Sequence, residues 1–398
     1  MLAPITIRYT FRPVRRSLAT GQVSDLFGLA EEETTHTVAE NVTLDIRPGD
    51  LVLFTGPSGS GKSSLLRAVA AQLNAVDVFA LPLPDAPLID TLPGTVEHRL
   101  ATLAGCGLSE ARLLLRTPGE LSEGQRYRFR LAFGIANHGG RFIVADEFTA
   151  TLDRTLAKVV AFNLRKLVTR TGVGVLAATT HEDVVDDLQP DVWVRCHGDG
   201  HIEAQRRGLQ RRRISFADEF WLSDGTRRDW PHFARWHYRS HHLAFVRRVI
   251  LLWHGLAPVG ICLFGTPAAS LSLRSRYFGL HNPRAAVALS ALNQQLWLLQ
   301  RVVLHPTYRG AGVAAAFVRR ACELCPVDWI ETLTAMGTAN PFFERAGFTR
   351  VGVVRKGKHG SARGAYGAKS GRLSAETVVK SRFSNPVYYV FDNRARKP

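Results

Sequence analysis

Apolar and polar residues alternate over two short stretches near the start of the chain, residues 5–12 and 41–46. This period-two pattern predicts two β-strands. A continuous apolar run follows at residues 51–54, and a helical pattern begins at Leu65 after a glycine-rich loop. A short unbroken apolar run is typical of a strand that is buried on both faces. The pattern therefore predicts a buried strand, a loop and a helix in succession.

The same alternation of strands and helices continues to the end of the chain. Two helices are predicted, one beginning near Asp229 and one after Gly312. Further strands are predicted at residues 141–145, 173–180, 245–253, 258–264, 297–304, 348–354 and 386–391. This succession of elements indicates an α/β fold class for both halves.

Charge separates the two halves of the chain. The 398 residues contain 51 Lys and Arg against 34 Asp and Glu, a net charge of +17. Residues 1–200 hold 20 basic and 23 acidic side chains, which leaves 31 basic and 11 acidic for residues 201–398, so the net charges are −3 and +20. We therefore predict a first domain at 1–200, a basic linker at 201–214 and a second domain at 215–398. The excess predicts a nucleic-acid partner for residues 201–398, unless arginine is simply abundant in the source proteome.

The loop at residues 56–64 fits the pattern G-x-x-x-x-G-K-[ST] in full. Its glycines let backbone N–H groups surround a polyphosphate, and the following helix N-terminus adds partial positive charge. Lys62 is predicted to reach the β- and γ-phosphates, and the Ser63 hydroxyl to ligate Mg²⁺. The predicted nucleotide-binding residues are Gly56, Ser58, Gly59, Ser60, Gly61, Lys62, Ser63 and Ser64. The alternative is a glycine turn without a ligand.

Four further motifs follow the loop in order. Residues 121–126 read LSEGQR, a strand at 141–145 ends in Asp146 and Glu147, residues 151–153 read TLD, and a strand at 173–180 ends at His181. With the loop, they resemble the ABC ATPase family, whose signature is LSGGQ. The resemblance implies that ATP is the nucleotide, that Asp146 joins Ser63 at the Mg²⁺ ion, that Glu147 polarises the attacking water and that His181 senses the γ-phosphate.

The resemblance also implies a head-to-tail homodimer that ATP closes. In it, Ser122 and Gly124 of one subunit contact the nucleotide held by the other. Glu123 departs from the family's usual glycine and places a carboxylate near the γ-phosphate. The family's glutamine between the loop and the signature is missing, and Asp85 lies near its place. Phe27 could stack on the nucleotide base or pack in the core.

The second half contains another glycine turn between a predicted strand and helix. Arg309, Gly312 and Ala314 match the pattern [QR]-x-x-G-x-[GA] of the GNAT acyltransferase superfamily, and residues 340–348 resemble its later E-x-x-GF segment. The resemblance implies a mixed, mostly antiparallel sheet and acetyl-CoA, or another acyl-CoA, at the helix N-terminus. The predicted acyl-CoA-binding residues are Leu304, Arg309, Gly310, Ala311, Gly312, Val313 and Ala314. The alternative is an unrelated α/β domain with chance matches.

Phe343 stands where many GNAT enzymes carry a tyrosine acid, so the proton handlers must come from elsewhere or be water. His237, Tyr238, His241 and His242 are the candidates, because histidine titrates near neutral pH. Structural or nucleic-acid-contacting roles are the alternatives for each. Residues 355–372 are glycine-rich and basic without an acid, which predicts either a phosphate-gripping loop or a solvated one.

Five scattered cysteines predict a reduced, cytoplasmic protein. No apolar run approaches the ~18 residues that a transmembrane helix needs, so a soluble protein without a membrane partner is expected. Cys196, His197 and His201 are metal-ligand types around a glycine turn, but no fourth ligand is evident, and a solvated loop is the favoured interpretation.

The combination resembles ABC-type ATPases fused to a GNAT acetyltransferase, and the second half is loosely similar to Mom-type DNA-modification proteins of phage Mu. Three functions remain open. The leading hypothesis is an ATP-dependent N-acyltransferase that modifies DNA or RNA. The alternatives are an acyltransferase for a protein or small-molecule amine, and an ATP-gated nucleic-acid clamp with an inactive transferase fold.

Overall fold

The computed structural model describes residues 2–12, 17–29, 33–208, 213–237, 243, 245–280, 286–338, 340–354 and 385–395. The chain divides into two compact units. The first consists of Met1–Leu108 and Arg112–Arg212, and the second of Ser109–Ala111 and Arg213–Pro398. Among the described residues, no helix is both long and apolar enough to cross a membrane.

The first unit alternates strands and helices as the apolar pattern predicts. Its elements are β1 (Ile5–Phe11), α1 (Leu18–Phe27), β2 (Thr34–Val42), β3 (Leu51–Thr55), α2 (Lys62–Gln72), β4 (Val76–Asp77), α3 (Val96–Gly105), α4 (Glu123–Asn137), β5 (Phe142–Ala145), α5 (Arg154–Thr171), β6 (Gly174–Thr179), α6 (Val185–Leu188), β7 (Val192–Gly198) and β8 (His201–Arg206).

A six-stranded sheet forms the centre of the first unit, in the order β4-β5-β6-β3-β7-β8. All neighbours are parallel except β7 and β8, and β1 pairs with β2 in a separate antiparallel sheet. Every residue of β3 is buried, as its unbroken apolar run predicts. Because β5, β6 and β3 are adjacent and parallel, the loops that follow them leave the same edge of the sheet.

The second unit is built around one larger sheet. Its elements are β9 (Phe220–Asp224), α7 (Trp230–Ala234), β10 (Val246–His254), β11 (Ala257–Gly265), α8 (Ser272–Phe278), α9 (Ala286–Gln295), β12 (Leu296–Leu304), α10 (Val313–Glu323), β13 (Trp329–Thr334), α11 (Phe342–Arg345), β14 (Thr349–Val353) and β15 (Val387–Asp392).

The order of this seven-stranded sheet is β14-β15-β13-β12-β11-β10-β9. Only β12 and β13 are parallel neighbours, so the sheet is mixed and mostly antiparallel. Their ladder is short and ends at the pair Leu298–Glu331, although β12 continues to Leu304. Beyond this pair β12 and β13 no longer pair with each other, although β12 still pairs with β11 and β13 with β15.

One strand prediction is wrong and one helix prediction is confirmed. Residues 43–46 form no strand, although Leu44 is buried between more exposed neighbours, because none of the described strands pairs with this segment. The helix expected near Asp229 is confirmed as α7, which begins at Trp230, has Pro231 in its first turn and ends at Ala234. Asp229 holds the N-cap position, but its carboxylate accepts from the Thr226 N–H at 2.6 Å in the preceding turn.

All five cysteines are free and buried. Burial raises the pKa of the Cys106 thiol to about 12 and that of the Cys196 thiol to about 11. Phe27 is 75% exposed at the end of α1, so the core-packing alternative for this residue is wrong.

Candidate functional site

The loop between β3 and α2 requires its glycines. Gly56, Gly59 and Gly61 have φ angles of 142°, 83° and 89°, which side chains rarely adopt. A Cβ at Gly56 would lie 2.0 Å from the Cys196 carbonyl oxygen, and one at Gly61 would lie 2.1 Å from Val38 Cγ1. The backbone is therefore held close to its neighbours while its N–H groups remain available at the start of α2.

Lys62 supplies a cation inside this loop. Its Nζ donates to the Pro57 carbonyl at 2.6 Å, which curls the side chain back over the glycines. Burial lowers the pKa of Lys62, and the nearby Asp146 carboxylate opposes this shift. An incoming anion would compensate the buried charge.

Ser63 and Asp146 meet below the loop although 83 positions separate them in the sequence. Ser63 Oγ donates to Asp146 Oδ1 at 3.1 Å, and the same oxygen accepts from the Glu147 N–H at 3.0 Å. A hydroxyl and a carboxylate are the hard oxygen donors that Mg²⁺ prefers. Ser60 adds a buried hydroxyl with no hydrogen-bond partner among the described residues, which also fits an oxygen-rich ligand. The residues present therefore fit a nucleotide with Mg²⁺.

Glu147 and His181 lie at the same edge of the sheet. Glu147 follows β5 with a φ angle of 53°, and this left-handed conformation leaves its side chain exposed rather than in the core. His181 follows β6, and its N–H donates to Thr179 Oγ1 at 3.1 Å. The structure thus gathers the loop, Asp146, Glu147 and His181 from three neighbouring strands.

Two hydroxyls of the predicted set have partners within the chain. Ser64 Oγ lies 2.8 Å from the Tyr9 hydroxyl, a contact over 55 positions that no local pattern indicates. Ser122 caps α4, accepting from the Gln125 N–H at 3.4 Å while its own N–H donates to Gln125 Oε1 at 3.2 Å. Ser58 lies in the exposed part of the loop, and Gly124 lies in the first turn of α4.

The second unit presents its own glycine turn between β12 and α10. Gly310 and Gly312 have φ angles of 87° and 84°, and Gly312 precedes the first residue of α10. Nothing lies within 4 Å of a Cβ built at Gly312, so the space before this helix is open. Ala311 is buried, and Val313 and Ala314 begin the helix. Free N–H groups of the first helical turn can accept an anion here.

Arg309 supports the turn from inside the unit. Its Nε donates to the Leu304 carbonyl at 3.1 Å and its Nη2 to the Trp236 carbonyl at 3.3 Å. The guanidinium is therefore engaged with backbone carbonyls. The backbone N–H groups from Gly312 onwards are better placed than this side chain to bind a pyrophosphate.

The predicted proton handlers are only partly described. His237 follows α7, with its ring 5.6 Å from that of Trp230 in an edge contact. Tyr238, His241 and His242 lie outside the described residues, as does the basic segment 355–372. Phe343 is buried against the rings of Phe342, Phe348 and Tyr389.

Two polar groupings in the second unit were not predicted from the sequence. His254 Nδ1 lies 2.8 Å from the Tyr308 hydroxyl, and its Nε2 lies 2.9 Å from Glu219 Oε2. Separately, the Tyr389 hydroxyl donates to Glu344 Oε1 at 2.9 Å, and burial raises the pKa of Tyr389 to about 12. Only the position of Tyr308 beside the glycine turn could have drawn attention to the first grouping.

Comparison with known proteins identifies the first half. The sequence model of the ABC transporter family matches residues 39–77. A lipoprotein-releasing system ATP-binding protein LolD of Novosphingobium aromaticivorans is 32% identical over 226 residues, covering 47% of this chain and 94% of its own length. A zinc import ATP-binding protein ZnuC of Jannaschia is 32% identical over 169 residues, covering 38% of this chain and 69% of its own length.

Among solved structures, the bacterial ABC transporter cassette MJ0796, described as a dimer, is 23% identical with a TM-score of 0.35, over 52% of this chain and 99% of that one. The LolD and ZnuC proteins are matched over most of their own lengths at 32% identity. Through its first half, which holds the glycine loop, Asp146 and Glu147, this chain belongs to the family of ABC transporter ATP-binding proteins.

Proposed function

We propose that the first unit binds and hydrolyses MgATP and thereby controls an acyl-CoA-dependent N-acyltransferase in the second unit, which acts on nucleic acid. The observation that best supports the proposed ATPase activity is the contact between Ser63 and Asp146 directly below the glycine loop. Lys62 and the loop N–H groups would hold the phosphates, while Ser63 and Asp146 would hold Mg²⁺, which supplies charge neutralisation at the phosphates. Glu147 would orient the attacking water, and His181 would contact the γ-phosphate.

Head-to-tail dimerisation would complete this ATP site. Among the described residues, the hydrogen bonds of Ser122 lie within the cap and first turn of α4, with Gln125 and Arg126. The N-terminus of α4 would then face the nucleotide of a second subunit, with Gly124 allowing close approach. ATP would favour the closed dimer and hydrolysis would release it, so the nucleotide would bias a two-state assembly.

The glycine turn of the second unit supports the transferase part. The open space at Gly312 and the N-terminus of the 11-residue helix α10 fit the pyrophosphate of an acyl-CoA. Beyond the end of the β12–β13 ladder, N–H groups on the facing edges of these strands would polarise a thioester carbonyl. An acceptor amine would attack that carbonyl carbon, forming a C–N bond and breaking the C–S bond. The amine's proton would pass to a base or to water, and the thiolate leaving group would be protonated in turn.

The acceptor is proposed from charge. Residues 201–398 carry a net charge of +20, which attracts a polyanion and is compatible with phosphate contacts. A base within a duplex would have to be flipped out or already unpaired to reach the thioester.

One observation favours a different function for the second unit. Phe343 is buried among aromatic rings and cannot protonate a leaving thiolate. An ATP-gated nucleic-acid clamp with an inactive transferase fold is therefore the second candidate. The protein-amine or small-amine acyltransferase would leave the +20 charge of the second half without a role.

Nucleoside mass spectrometry tests the proposal. DNA and RNA from cells that express the wild type would be compared with those from cells that express Gly312→Trp, which fills the space before α10. A new nucleoside mass in the wild type alone is expected, and its dependence on ATP would be checked with Lys62→Ala. If purified protein binds acyl-CoA but neither polymer gains a mass, the nucleic-acid acceptor is wrong, and protein or small amines would be tested next. If acyl-CoA does not bind, the clamp is supported.

A further inference from the structure

The β7–β8 hairpin of the first unit gathers four polar side chains on one face. Arg195 lies directly opposite Glu203 in its antiparallel register. His201 shares the face of Glu203, because side chains two positions apart in a strand lie on the same face. On the other strand the register is irregular between Cys196 and Gly198, which places His197 at a bulge. Residues 199–200 form the turn that brings the two histidines together.

The donor atoms of three of these side chains are close together. One ligand atom from each of His197, His201 and Glu203 lies within 4.8 Å of the other two. His197 Nε2 is 3.6 Å from Glu203 Oε2, and His201 Nε2 is 3.8 Å from Glu203 Oε1. The imidazole ring centroids are 5.1 Å apart. All three side chains are exposed, so they can be reached from solvent and can adjust their rotamers.

Cys196 does not belong to this donor set. It is 1% exposed, and its position in the strand directs it to the opposite face, into the core of the first unit. The donor set is therefore two imidazoles and one carboxylate.

We propose that His197, His201 and Glu203 bind one divalent transition-metal ion, with Zn²⁺ as the probe. Zn²⁺ bonds of about 2.0–2.2 Å in tetrahedral geometry place neighbouring ligand atoms roughly 3.3–3.6 Å apart. The two histidine–carboxylate distances are close to this range, but they reach different oxygens of Glu203. The three ligand atoms lie within 4.8 Å of one another, so a bound ion must draw these exposed side chains together by about 1 Å. Three protein ligands leave a fourth position for water. This site is separate from the proposed Mg²⁺ ligands Ser63 and Asp146 and does not depend on the transferase proposal.

Arg195 competes with the metal for Glu203. Its Nη2 lies 2.8 Å from Glu203 Oε2, so a bound cation must displace the guanidinium from that oxygen. The guanidinium also lies 4.8 Å from the ring centroid of Trp193, which gives it a second favourable contact after release. Removing Arg195 should therefore strengthen metal binding, whereas removing any of the three ligands should weaken it.

Isothermal titration of the full-length, nucleotide-free protein with ZnCl₂ tests the site. We expect one site per chain in the wild type, and an affinity loss of at least about tenfold in His201→Ala and in Glu203→Gln, since even changes behind direct ligands typically cost that much. Arg195→Gln should bind more tightly than the wild type. His98→Ala, which removes an exposed histidine from α3, is the matched control and should bind as the wild type does.

Circular dichroism of each variant separates loss of the site from loss of the fold. The proposal is overturned if the folded wild type shows no stoichiometric binding. It is also overturned if folded Glu203→Gln and His201→Ala bind Zn²⁺ as tightly as His98→Ala. Tighter binding by Arg195→Gln would support the assigned role of Glu203, because a site elsewhere would not respond to this substitution.

Discussion

At the scale of single residues, the backbone conformation of Glu147 places its carboxylate away from the core. Its φ angle of 53° is unusual for a residue with a side chain and places the carboxylate at the exposed edge of the sheet. Such a conformation persists only where the surrounding structure holds it, and it is frequent at functional sites. Here the Glu147 N–H is held by Asp146 Oδ1 at 3.0 Å.

The first prediction concerns this carboxylate. Glu147→Gln keeps the size of the side chain but removes the group that would polarise water, so ATP hydrolysis should fall by about 10²–10⁴-fold while ATP binding persists. Phosphate release and equilibrium nucleotide binding measure the two effects. Glu97→Gln, on the exposed first turn of α3, should leave both unchanged. Hydrolysis by Glu147→Gln at the wild-type rate would show that Glu147 is not the base.

The second prediction compares two glycines of the same loop. Gly59→Ala adds a methyl group in open space and pays only for the left-handed backbone, about 1–2 kcal/mol. Gly56→Ala places a Cβ 2.0 Å from the Cys196 carbonyl oxygen, so strand and loop must move apart. We expect Gly56→Ala to lower the calorimetric unfolding temperature clearly more than Gly59→Ala. Equal effects would contradict the described packing of the loop.

At the scale of elements, a buried ion pair ties α8 to β13. Arg274 donates to Glu331 through Nε at 2.8 Å and Nη2 at 2.6 Å, and the Tyr388 hydroxyl donates to Glu331 Oε2 at 2.9 Å. The two charged side chains are 1% and 0% exposed. Each charge therefore depends on the other, since water does not reach either of them.

The third prediction follows from this burial. Glu331→Gln leaves the Arg274 charge uncompensated and should destabilise the second unit by about 3–5 kcal/mol. Asp224→Asn is the control: it removes an ion pair with Arg248 in which Asp224 is 67% exposed, and should cost at most about 1 kcal/mol. Urea unfolding followed by tryptophan fluorescence is suitable, because all tryptophans except Trp193 follow residue 212. A similar midpoint for both variants would contradict the assigned difference in burial.

The elements that are best predicted from the sequence are those whose own residues form a recognisable local pattern. The unbroken apolar run of β3 and the glycine loop after it are local patterns, and both lie where they are expected. The segment at residues 43–46 misleads, because the burial of Leu44 imitates the alternation of a strand. The helix start near Asp229 is located correctly, although the Asp229 side chain caps the preceding turn and not the helix itself.

Contacts between distant positions could not be predicted from one sequence. Tyr9 with Ser64 and His254 with Tyr308 are pairs separated by more than 50 positions, and neither pair belongs to a spaced motif. Glu203 was missed as a partner of the two histidines because its position depends on the register of the hairpin, which the glycines of the turn leave open.

At the scale of the whole molecule, Glu123 is expected to oppose assembly. It stands in the first turn of α4, where a carboxylate stabilises the isolated helix but would repel a γ-phosphate presented by a second subunit. The same residue would thus favour the single chain and disfavour the closed dimer. Both effects come from one charge at one helix terminus.

The fourth prediction tests this opposition. In a Glu147→Gln background, which prevents hydrolysis, Glu123→Gly should increase the ATP-dependent dimer fraction by about five- to tenfold in dimerisation constant, equivalent to roughly 1 kcal/mol of relieved repulsion. Sedimentation velocity with and without MgATP measures it. Weaker dimerisation of Glu123→Gly would mean that the carboxylate contributes an attractive contact, and an effect without ATP would place it outside the nucleotide interface.

The five buried thiols can report how often each unit opens. Cys106 and Cys196 belong to the first unit, and Cys262, Cys322 and Cys325 to the second. A thiol reagent can reach them only while the surrounding structure is open, so the labelling rate of each peptide would time the opening of its own half. Mass spectrometry of labelled peptides, without any engineered probe, therefore shows whether nucleotide slows the opening of one half of the chain or of both.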